Sequence, residues 1–550
     1  MPHQHNEFLQ RAIVALKERT FYAAFPEHPK AYDEDGDQKG QEAFKNQLNK
    51  AYPGLDNPRG KSLGEEISPY TLKPLGISYP EIPAEVLINK ANQAWKPWRD
   101  TLVDKRACLL IDSLFGLKDR FFELAYATMH TTGQGYMMAF QASGPHSADR
   151  ALEAIAAGYE ELTKYPEHVV WDKPMGKFNI TLNKTWKPVP KGISLVIGCS
   201  TFPVWNSLPG IYASLITGNP VIIKPHPGAI LPLAMVVDEI NKVLNEYGLP
   251  PGICQLAPDK PENPIALELA KHEEVKIIDF TGNSSFGSQL EKLEGKVVFT
   301  EKTGVNSVLL HSASDPDQMA ANLGFSINLY SGQMCTAPQN FFIPEDGIDT
   351  PNGKLSFDEV VQKISDQISS LANNPKAGPY VLGAIQNPAT CNRLDDLLVR
   401  GKKVWLKSSE IENPMFPESR TRSPLIIEVS AEDKELFSQE LFGPIALFIK
   451  TKNIEESVSL ASELAKKHGA ISCAAYTTDE KVKELIMEEM GLAGTPVSFN
   501  LYGGIYVNQN AGFSDFHVTG GNPAGNASIT DAQFVSDRFT WVGFREMVKT

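Results

Sequence analysis

The sequence predicts an α/β protein built on a doubly wound parallel sheet, with strands lying between two layers of helices. The chain has 550 residues, which leaves room for several domains at about 100–200 residues each. Beyond residue 190, short apolar runs alternate with segments of helical spacing, as expected for strands covered by helices on both faces. Hydrophobic residues make up 42% and charged residues 21% of the chain, a balance that supports a large core.

An N-terminal extension, residues 1–75, precedes this pattern. Residues 6–17 carry apolar side chains at helical spacing and predict an amphipathic helix, whereas the Pro- and Asp-rich passage 25–40 predicts a surface loop. Three Asp residues of that loop are spaced as in a calcium loop, but Gln38 replaces the required glycine. We therefore expect a solvated acidic loop and no metal site.

A helical layer is predicted next, over 83–162, followed by a first series of strands and helices. Its strands are predicted at 192–198, 219–224, 252–256 and 275–280. In such sheets ligands bind at the carboxyl ends of the strands. The loops that follow these strands are therefore the places where chemistry is expected.

A second series is predicted to start with a strand at 296–299 and to continue to about residue 508. The segments 169–189 and 527–550 stand outside both series. In the first of them Phe178 and Ile180 belong to an alternating pattern that predicts a β-hairpin.

Charge and cysteine usage exclude several classes of protein. The formal net charge is −14, which repels polyanions and disfavours nucleic acid as a partner. No window approaches 18 uninterrupted apolar residues and no secretory signal is visible, so we expect a cytoplasmic protein without membrane contact. The six cysteines contain no CxxC pair, which argues against a disulfide framework and a zinc knuckle.

The loop Phe280–Gly287 follows a predicted strand and opens a helix. Its two glycines would let the backbone approach a phosphate or a nicotinamide at the helix N-terminus. The loop lacks the full G-x-G-x-x-G fingerprint, and two glycines after a strand also fit an ordinary turn.

Two residues have the chemistry of a covalent enzyme. Glu301 ends an apolar strand, where a general base facing a cleft is expected, although the same position suits a surface carboxylate. Cys335 follows Gly332 just past a helical stretch. A thiolate there would attack a carbonyl carbon, and backbone N–H groups would stabilise the resulting oxyanion. A buried structural cysteine is the alternative.

Taken together, these segments resemble the aldehyde dehydrogenase superfamily. The resemblance extends from about Pro83 to the C-terminus and rests on Ile197–Pro203, Val221–Pro225, Phe280–Gly282, Glu301, Gly332–Cys335 and Glu440–Pro444. Within that superfamily, Gly332–Asn340 and Ala15–Pro26 resemble the phenylacetic acid degradation protein PaaN group.

The resemblance implies an NAD(P)-binding domain over 76–168 and 190–300 and a catalytic domain over 301–510. A bridging β-element over 169–189 and 527–550 would join subunits into a homodimer or homotetramer. Cys335 would form a thiohemiacetal and then a thioester, and Glu301 would activate water to hydrolyse it.

The resemblance also implies the cofactor contacts. Lys224 would bind the adenosine ribose or a 2′-phosphate, and Glu440 and Phe442 would hold the nicotinamide ribose. The other positions implied at the cofactor are Thr281, Gly282 and Gly287.

The sequence departs from the family at two positions. Thr201 stands where an Asn usually helps to bind the oxyanion, and Thr at this position recurs in the CoA-acylating branch. Lys224-Pro225-His226 lacks the acidic residue that commonly follows the lysine. Its absence and a positive charge on His226 favour NADP over NAD.

We therefore expect an enzyme that oxidises an aldehyde, plausibly a CoA-linked semialdehyde of phenylacetate degradation, to a carboxylic acid. A CoA-acylating aldehyde dehydrogenase is a second hypothesis, and a non-catalytic binding or assembly protein on the same fold is a third. Phe202, Trp205 and Tyr330 are expected to line the substrate tunnel, although aromatic side chains at such positions also serve core packing.

Overall fold

The structure is a computed structural model that describes residues 2–55, 60–400, 403–503, 512–517, 520–526 and 532–548. The chain begins with two helices and a small two-stranded sheet. These elements are α1 His3–Glu18, α2 Gly36–Gln47, β1 Ser62–Leu63 and β2 Tyr79–Pro80.

The helix predicted over 6–17 is present as α1, which buries Leu9, Ala12 and Ile13 in the core. The loop predicted over 25–40 ends early, because α2 begins at Gly36. Asp37 of that passage accepts a hydrogen bond from Tyr126 at 3.0 Å and another from Tyr136. The N-terminal extension therefore packs onto the body of the molecule.

The predicted helical layer consists of five helices, and a hairpin follows it. The elements are α3 Ala84–Arg99, α4 Val103–Lys118, α5 Phe121–Thr132, α6 Tyr136–Ser143, α7 Pro145–Thr163, β3 His168–Pro174 and β4 Asn179–Pro190.

All four strands predicted for the first series are present, joined by a fifth, in a fully parallel sheet of order β7-β6-β5-β8-β9. Its elements are β5 Ile193–Ile197, α8 Pro203–Ile216, β6 Val221–Lys224, α9 Leu231–Glu246, β7 Cys254–Leu256, α10 Ala266–Lys271, β8 Val275–Thr281, α11 Ser284–Leu290 and β9 Val297–Glu301. The fifth strand is the one predicted at 296–299 to open the second series. That prediction is wrong, because β9 pairs with β8 of the first sheet.

The second sheet has seven strands in the order β14-β15-β16-β11-β10-β17-β18, parallel except for β14. Its elements, with a β12–β13 hairpin between them, are β10 Ser307–Leu310, α12 Pro316–Asn328, β11 Asn340–Pro344, β12 Ile348–Thr350, β13 Gly353–Leu355, α13 Phe357–Ala372, α14 Gly378–Leu382, α15 Pro388–Arg400, β14 Lys403–Leu406, β15 Leu425–Ser430, α16 Lys434–Phe437, β16 Ile445–Thr451, α17 Ile454–His468, β17 Cys473–Tyr476, α18 Glu480–Leu492 and β18 Val497–Phe499.

The described C-terminal part of the chain forms α19 Ala532–Ser536 and β19 Phe539–Met547. β19 pairs with β4, which pairs with β3, so the predicted hairpin and the C-terminal segment form one antiparallel sheet. Residues 527–531 and 549–550 of the second predicted segment lie outside the described residues. Arg538 fixes this end of the chain through two buried hydrogen bonds to the Asp279 carboxylate, at 2.8 and 2.6 Å.

The order of the strands in the first sheet determines where a ligand is expected to bind. In the first sheet the chain runs outward from β5 in both directions, and the crevice between the carboxyl ends of β5 and β8 is where such sheets bind ligands. No helix of the described residues is long and apolar enough to cross a membrane.

Candidate active site

A cavity of about 210 Å³ lies at the carboxyl ends of β5, β8 and β9. Seven of the predicted catalytic and cofactor-binding residues line it: Thr201, Thr281, Gly282, Glu301, Cys335, Glu440 and Phe442. The fold therefore brings together residues that are far apart in the chain.

Cys335 is presented by an unusual turn at the end of α12. Tyr330, Ser331 and Gly332 have φ angles of 50°, 51° and 62°, three successive residues in the left-handed region. That region costs a non-glycine residue about 1–2 kcal/mol. Gly332 is required for a further reason, since a Cβ there would lie 2.2 Å from the carbonyl oxygen of Gly443.

The Asn306 side chain holds the loop that carries Cys335. Its amide donates to the carbonyl oxygens of Cys335 at 2.7 Å and Ala337 at 3.0 Å. Its side-chain oxygen accepts from the backbone N–H groups of Ile471 and Ser472. One buried side chain thus ties the loop to the chain just before β17.

Three reactive side chains lie close together: Cys335 and Glu301 line the cavity, and His517 lies beside them. The His517 Nε2 atom lies 3.1 Å from Oε1 of Glu301 and 3.8 Å from Sγ of Cys335. Glu301 is 6% exposed and His517 is 4% exposed. Burial raises the pKa of the Cys335 thiol well above its usual value, and the negative charge of Glu301 adds to the rise.

Glu301 occupies the last position of β9 and is held from two sides. Its Oε2 accepts a 2.9 Å hydrogen bond from the Asn206 amide in the first turn of α8. Burial by itself would raise the pKa of Glu301, but the adjacent His517 and hydrogen bonds from Cys335 and Asn206 bring it below its usual value. The carboxylate is therefore ionised beside the thiol.

Sequence reasoning missed His517, Asn206 and Asn306. His517 lies more than 180 residues after Cys335, and no recognised spacing links it to the other two reactive residues. Asn206 lies shortly after Thr201, in the first turn of the helix that follows. A polar side chain in that turn was the sequence signal that could have identified it.

The environment of Lys224 corrects a prediction. Lys224 Nζ lies 2.7 Å from the Asp259 carboxylate, and both side chains are buried. The acid that is absent after Lys224 in sequence is supplied by the loop after β7, the neighbouring strand. The expectation that no carboxylate lies beside Lys224 is therefore wrong, and the preference for NADP over NAD stays a prediction.

His226 does not supply the predicted positive charge in this conformation. Its Nδ1 accepts a 3.1 Å hydrogen bond from the Gly228 N–H, and a doubly protonated imidazole has no acceptor atom. The ring is therefore neutral here.

The glycines of the Phe280–Gly287 loop are explained by packing. A Cβ on Gly282 would lie 2.7 Å from the Phe280 ring, and a Cβ on Gly287 would lie 2.7 Å from the Lys302 side chain. Gly282 lines the cavity, whereas Gly287 lies on α11 outside its lining. Asn283 caps α11 by accepting from the Phe286 N–H at 2.9 Å.

Glu440 and Phe442 line the same cavity as Gly282, and their chemistry fits a nicotinamide riboside. Glu440 is half-buried, and burial raises its pKa to about 7. A carboxylate that accepts from two ribose hydroxyls would regain the hydrogen bonds lost on burial. The neighbouring aromatic ring supplies an apolar wall.

A second cavity, of about 540 Å³, reaches Cys335 from the side of α6, α8 and α12. Phe202 and Trp205 line it as predicted. Tyr330 does not: it is 0% exposed, and its hydroxyl donates to the Thr132 carbonyl oxygen at 2.6 Å. Glu27 also lines this cavity, so the N-terminal extension contributes to its wall.

Comparison with known proteins identifies relatives of the chain. A sequence model described as the aldehyde dehydrogenase family matches residues 64–521. A 1-pyrroline-5-carboxylate dehydrogenase from Oceanobacillus iheyensis is 24% identical over 400 residues, covering 69% of this chain and 70% of the relative. The Bacillus subtilis protein of the same name is 24% identical over 393 residues, covering 69% and 71%.

Among solved structures, an NAD-dependent aldehyde dehydrogenase from Burkholderia multivorans superposes with a TM-score of 0.97 at 43% identity, covering 100% of this chain and 99% of that one. A 1-pyrroline-5-carboxylate dehydrogenase mutant from Thermus thermophilus has a TM-score of 0.76 at 18% identity, covering 96% and 99%. The similarity to the Thermus thermophilus structure shows that the two proteins share a fold.

Proposed function

The chain belongs to the aldehyde dehydrogenase family, and on that premise we propose that Cys335 and Glu301 oxidise an aldehyde to a carboxylic acid with NAD(P)⁺. The observation that carries the proposal is the shared cavity, in which a thiol and an ionised carboxylate face each other at the carboxyl ends of β8 and β9. That arrangement supports covalent capture followed by hydrolysis.

In the first half of the reaction, Cys335 Sγ attacks the carbonyl carbon and a thiohemiacetal forms. The Thr201 hydroxyl, which lines the same cavity, is the side-chain donor offered to the oxyanion. NAD(P)⁺, when bound, supplies the hydride acceptor that turns the thiohemiacetal into a thioester on Cys335.

In the second half, Glu301 takes a proton from water, and the hydroxide attacks the thioester carbon. The C–S bond breaks, the acid leaves and the thiol is restored. The experiment that tests the proposal is to measure oxidation of a panel of aldehydes by wild type and Cys335→Ala; loss of all oxidation in the variant is expected.

For the cofactor, NAD is favoured over NADP. The Asp259 carboxylate beside Lys224 adds a negative charge that repels a 2′-phosphate. The Burkholderia multivorans relative, described as NAD-dependent, is 43% identical and supports the same choice.

For the substrate, we propose an apolar or aromatic aldehyde, and more narrowly a semialdehyde of phenylacetate breakdown. The substrate cavity is walled mainly by apolar side chains, among them Met138, Trp205, Phe325 and Val381. Resemblance of Gly332–Asn340 to the PaaN group supports the narrower choice. The relatives named for pyrroline carboxylate act on a carboxylate-bearing compound, for which this apolar wall is a poor match.

CoA as the final acyl acceptor is the second candidate, favoured by Thr201 at the position of the family's usual Asn. Glu301 favours water, because it lies beside Cys335 where a hydrolytic base is needed. Reduction of NAD measured with and without free CoA separates the two: strict dependence on CoA would favour acylation.

For assembly, we propose that the β19-β4-β3 sheet joins subunits in a homodimer or homotetramer. β3 and β19 are the edges of that sheet and carry exposed apolar side chains, including Val170 at 63% and Phe544 at 55% exposure. Such edges pair with other strands. Light scattering on wild type and Phe544→Lys tests this, with a smaller species expected for the variant.

A further inference from the structure

We propose that Cys335, Glu301 and His517 form a binding site for a zinc ion, which inhibits the enzyme reversibly by occupying the nucleophile and the hydrolytic base together. The binding is independent of the reaction, whereas the inhibition rests on the proposed function of these residues. Zinc is the ion that a thiolate, an imidazole and a carboxylate favour in combination.

The three donor atoms are spaced as the ligands of one zinc ion. Sγ of Cys335, Nε2 of His517 and a carboxylate oxygen of Glu301 lie within 4.8 Å of one another. Nε2 lies 3.1 Å from Oε1 of Glu301 and 3.8 Å from Sγ. Zinc–ligand bonds of ordinary length at a tetrahedral angle place nitrogen about 3.3 Å from an oxygen ligand and about 3.6 Å from a sulfur ligand. The observed distances lie close to both values.

Oε1 of Glu301 is a buried acceptor whose hydrogen bonding is incomplete. None of the described residues gives it a hydrogen bond of normal geometry, although Nε2 of His517 lies 3.1 Å away. The other oxygen, Oε2, accepts from Asn206 at 2.9 Å. A buried carboxylate oxygen without a well-directed donor costs free energy, and coordination to a cation would recover it.

The charges balance when zinc is bound. The thiolate and the carboxylate contribute two negative charges, the neutral imidazole contributes none and zinc contributes two positive charges, so the buried site is neutral overall. Zinc replaces the thiol proton and any proton on Nε2, which pass to solvent, and no atom is oxidised or reduced. Lys302, the lysine in the cavity lining, lies 2.7 Å from a Glu291 carboxylate oxygen, so its charge is already compensated.

Two cavities lead to the site. Glu301 and Cys335 line the cavity of about 210 Å³, and Cys335 and His517 line the cavity of about 540 Å³. Water from either side would complete a tetrahedron around the ion. Because Sγ and the carboxylate oxygen are then bonded to zinc, the thiol no longer attacks an aldehyde and the carboxylate no longer activates water.

Packing around His517 holds this ligand in place, as the surroundings of zinc ligands generally do. Its ring has an edge contact with the Trp205 ring, at 4.7 Å between centroids. Phe513, in the same segment, is 0% exposed, packs edge-on against Tyr22 at 5.0 Å and donates its N–H to Glu153 at 2.9 Å. The N-terminal extension therefore helps to position a zinc ligand.

Metal binding is measured without turnover, on the full chain after treatment with a chelator. Isothermal titration calorimetry with Zn²⁺ gives the stoichiometry and the affinity. Co²⁺ added instead of zinc reports a thiolate ligand through sulfur-to-metal charge-transfer absorption, which should appear in wild type and be absent from Cys335→Ser. We expect one tight site per chain, because no other group of three such donors lies as close among the residues that the structure describes.

Two variants test the ligands other than the thiol. Loss of a side chain that supports a zinc ligand costs about 10–100-fold in affinity, and loss of the ligand in His517→Gln or Glu301→Gln should cost at least as much. Cys391→Ser removes another partly exposed cysteine, and His272→Gln removes an imidazole just before β8. These two controls should bind zinc like wild type.

A further measurement needs no variant. Zinc should protect Cys335 of wild type from alkylation by iodoacetamide, as located by peptide mass spectrometry, and a chelator should restore alkylation. In the activity assay, zinc should stop the reduction of NAD by wild type with aldehyde, and the chelator should restore it. Zinc that leaves this rate unchanged would contradict the inhibitory role.

The outcomes separate the site from the reaction. Wild-type zinc affinity in His517→Gln, or no protection of Cys335 by zinc in wild type, overturns the proposal. If wild type binds zinc as expected but oxidises none of the aldehydes, the proposed function fails and the zinc site stands. If wild type oxidises aldehydes but binds zinc no better than His517→Gln, the zinc site fails and the proposed function stands.

Discussion

The Asn306 amide donates a 2.7 Å hydrogen bond to the carbonyl oxygen of Cys335, linking the residue that precedes β10 to the nucleophile itself. The same side chain makes three further hydrogen bonds to backbone groups around the loop. Removing it would leave buried backbone groups without partners.

We therefore expect Asn306→Ala to lower kcat more strongly than it raises KM, because it displaces the nucleophile without altering the substrate cavity. The unpaired backbone groups should also cost about 1–3 kcal/mol of unfolding free energy. Steady-state kinetics and urea unfolding measure both effects. Asn373→Ala, at the exposed end of α13, is the matched control; equal losses in the two variants would contradict this role.

Gly332→Ala should remove activity for a steric reason. Its φ of 62° disfavours any Cβ, and the added carbon would meet the Gly443 carbonyl oxygen at 2.2 Å. Gly60 has a similar φ of 67°, and no atom of the described residues lies within 4 Å of its Cβ position. Gly60→Ala thus isolates the backbone cost of about 1–2 kcal/mol. Comparable activity in the two variants would show that the close approach is unimportant.

Asp259→Asn should shift the cofactor preference toward NADP. Removing the carboxylate beside Lys224 relieves repulsion of a 2′-phosphate and frees the ammonium group to bind it. We expect the ratio of kcat/KM for NAD to that for NADP to fall by about tenfold, or about 1.4 kcal/mol. The surface variant Asp119→Asn should leave the ratio unchanged, and an unchanged ratio in Asp259→Asn would remove Asp259 from cofactor selection.

The protonation of Glu440 should make NAD binding depend on pH. Burial raises its pKa to about 7, so the protonated form is favoured in the free enzyme below that value. Binding to ribose hydroxyls favours the carboxylate, and KM for NAD should therefore fall as pH rises through about 7 and level off above it. Glu440→Gln should have a higher KM with a flat profile. Retention of the wild-type slope in that variant would assign the dependence to another group.

The positions of the two main reactive residues could be predicted because each follows a recognisable element. Glu301 ends an apolar strand, and Cys335 follows a helix and a glycine. Four of the five strands of the first sheet were predictable for the same reason, because continuous apolar runs bounded by glycine or proline have few other structures open to them.

The other features of the fold and of the site depend on contacts between segments that are far apart in the chain, and local sequence patterns do not encode such contacts. Asp259 reaches Lys224 because β7 lies parallel to β6, and β9 joined the first sheet because its partner was β8. His517 comes from a segment held by aromatic contacts with the N-terminal extension. Long-range packing of this kind leaves no periodic signal in the sequence.

In the proposed reaction, aldehyde carbon becomes bonded to Cys335 and is released by water that Glu301 activates. Glu301→Gln should therefore reduce one equivalent of NAD and accumulate an acyl group. Intact-protein and peptide mass spectrometry of this variant after mixing with aldehyde and NAD is the most direct measurement. We expect an acyl adduct on Cys335; an unmodified Cys335, or an adduct on another of the cysteines, would show that this mechanism is wrong.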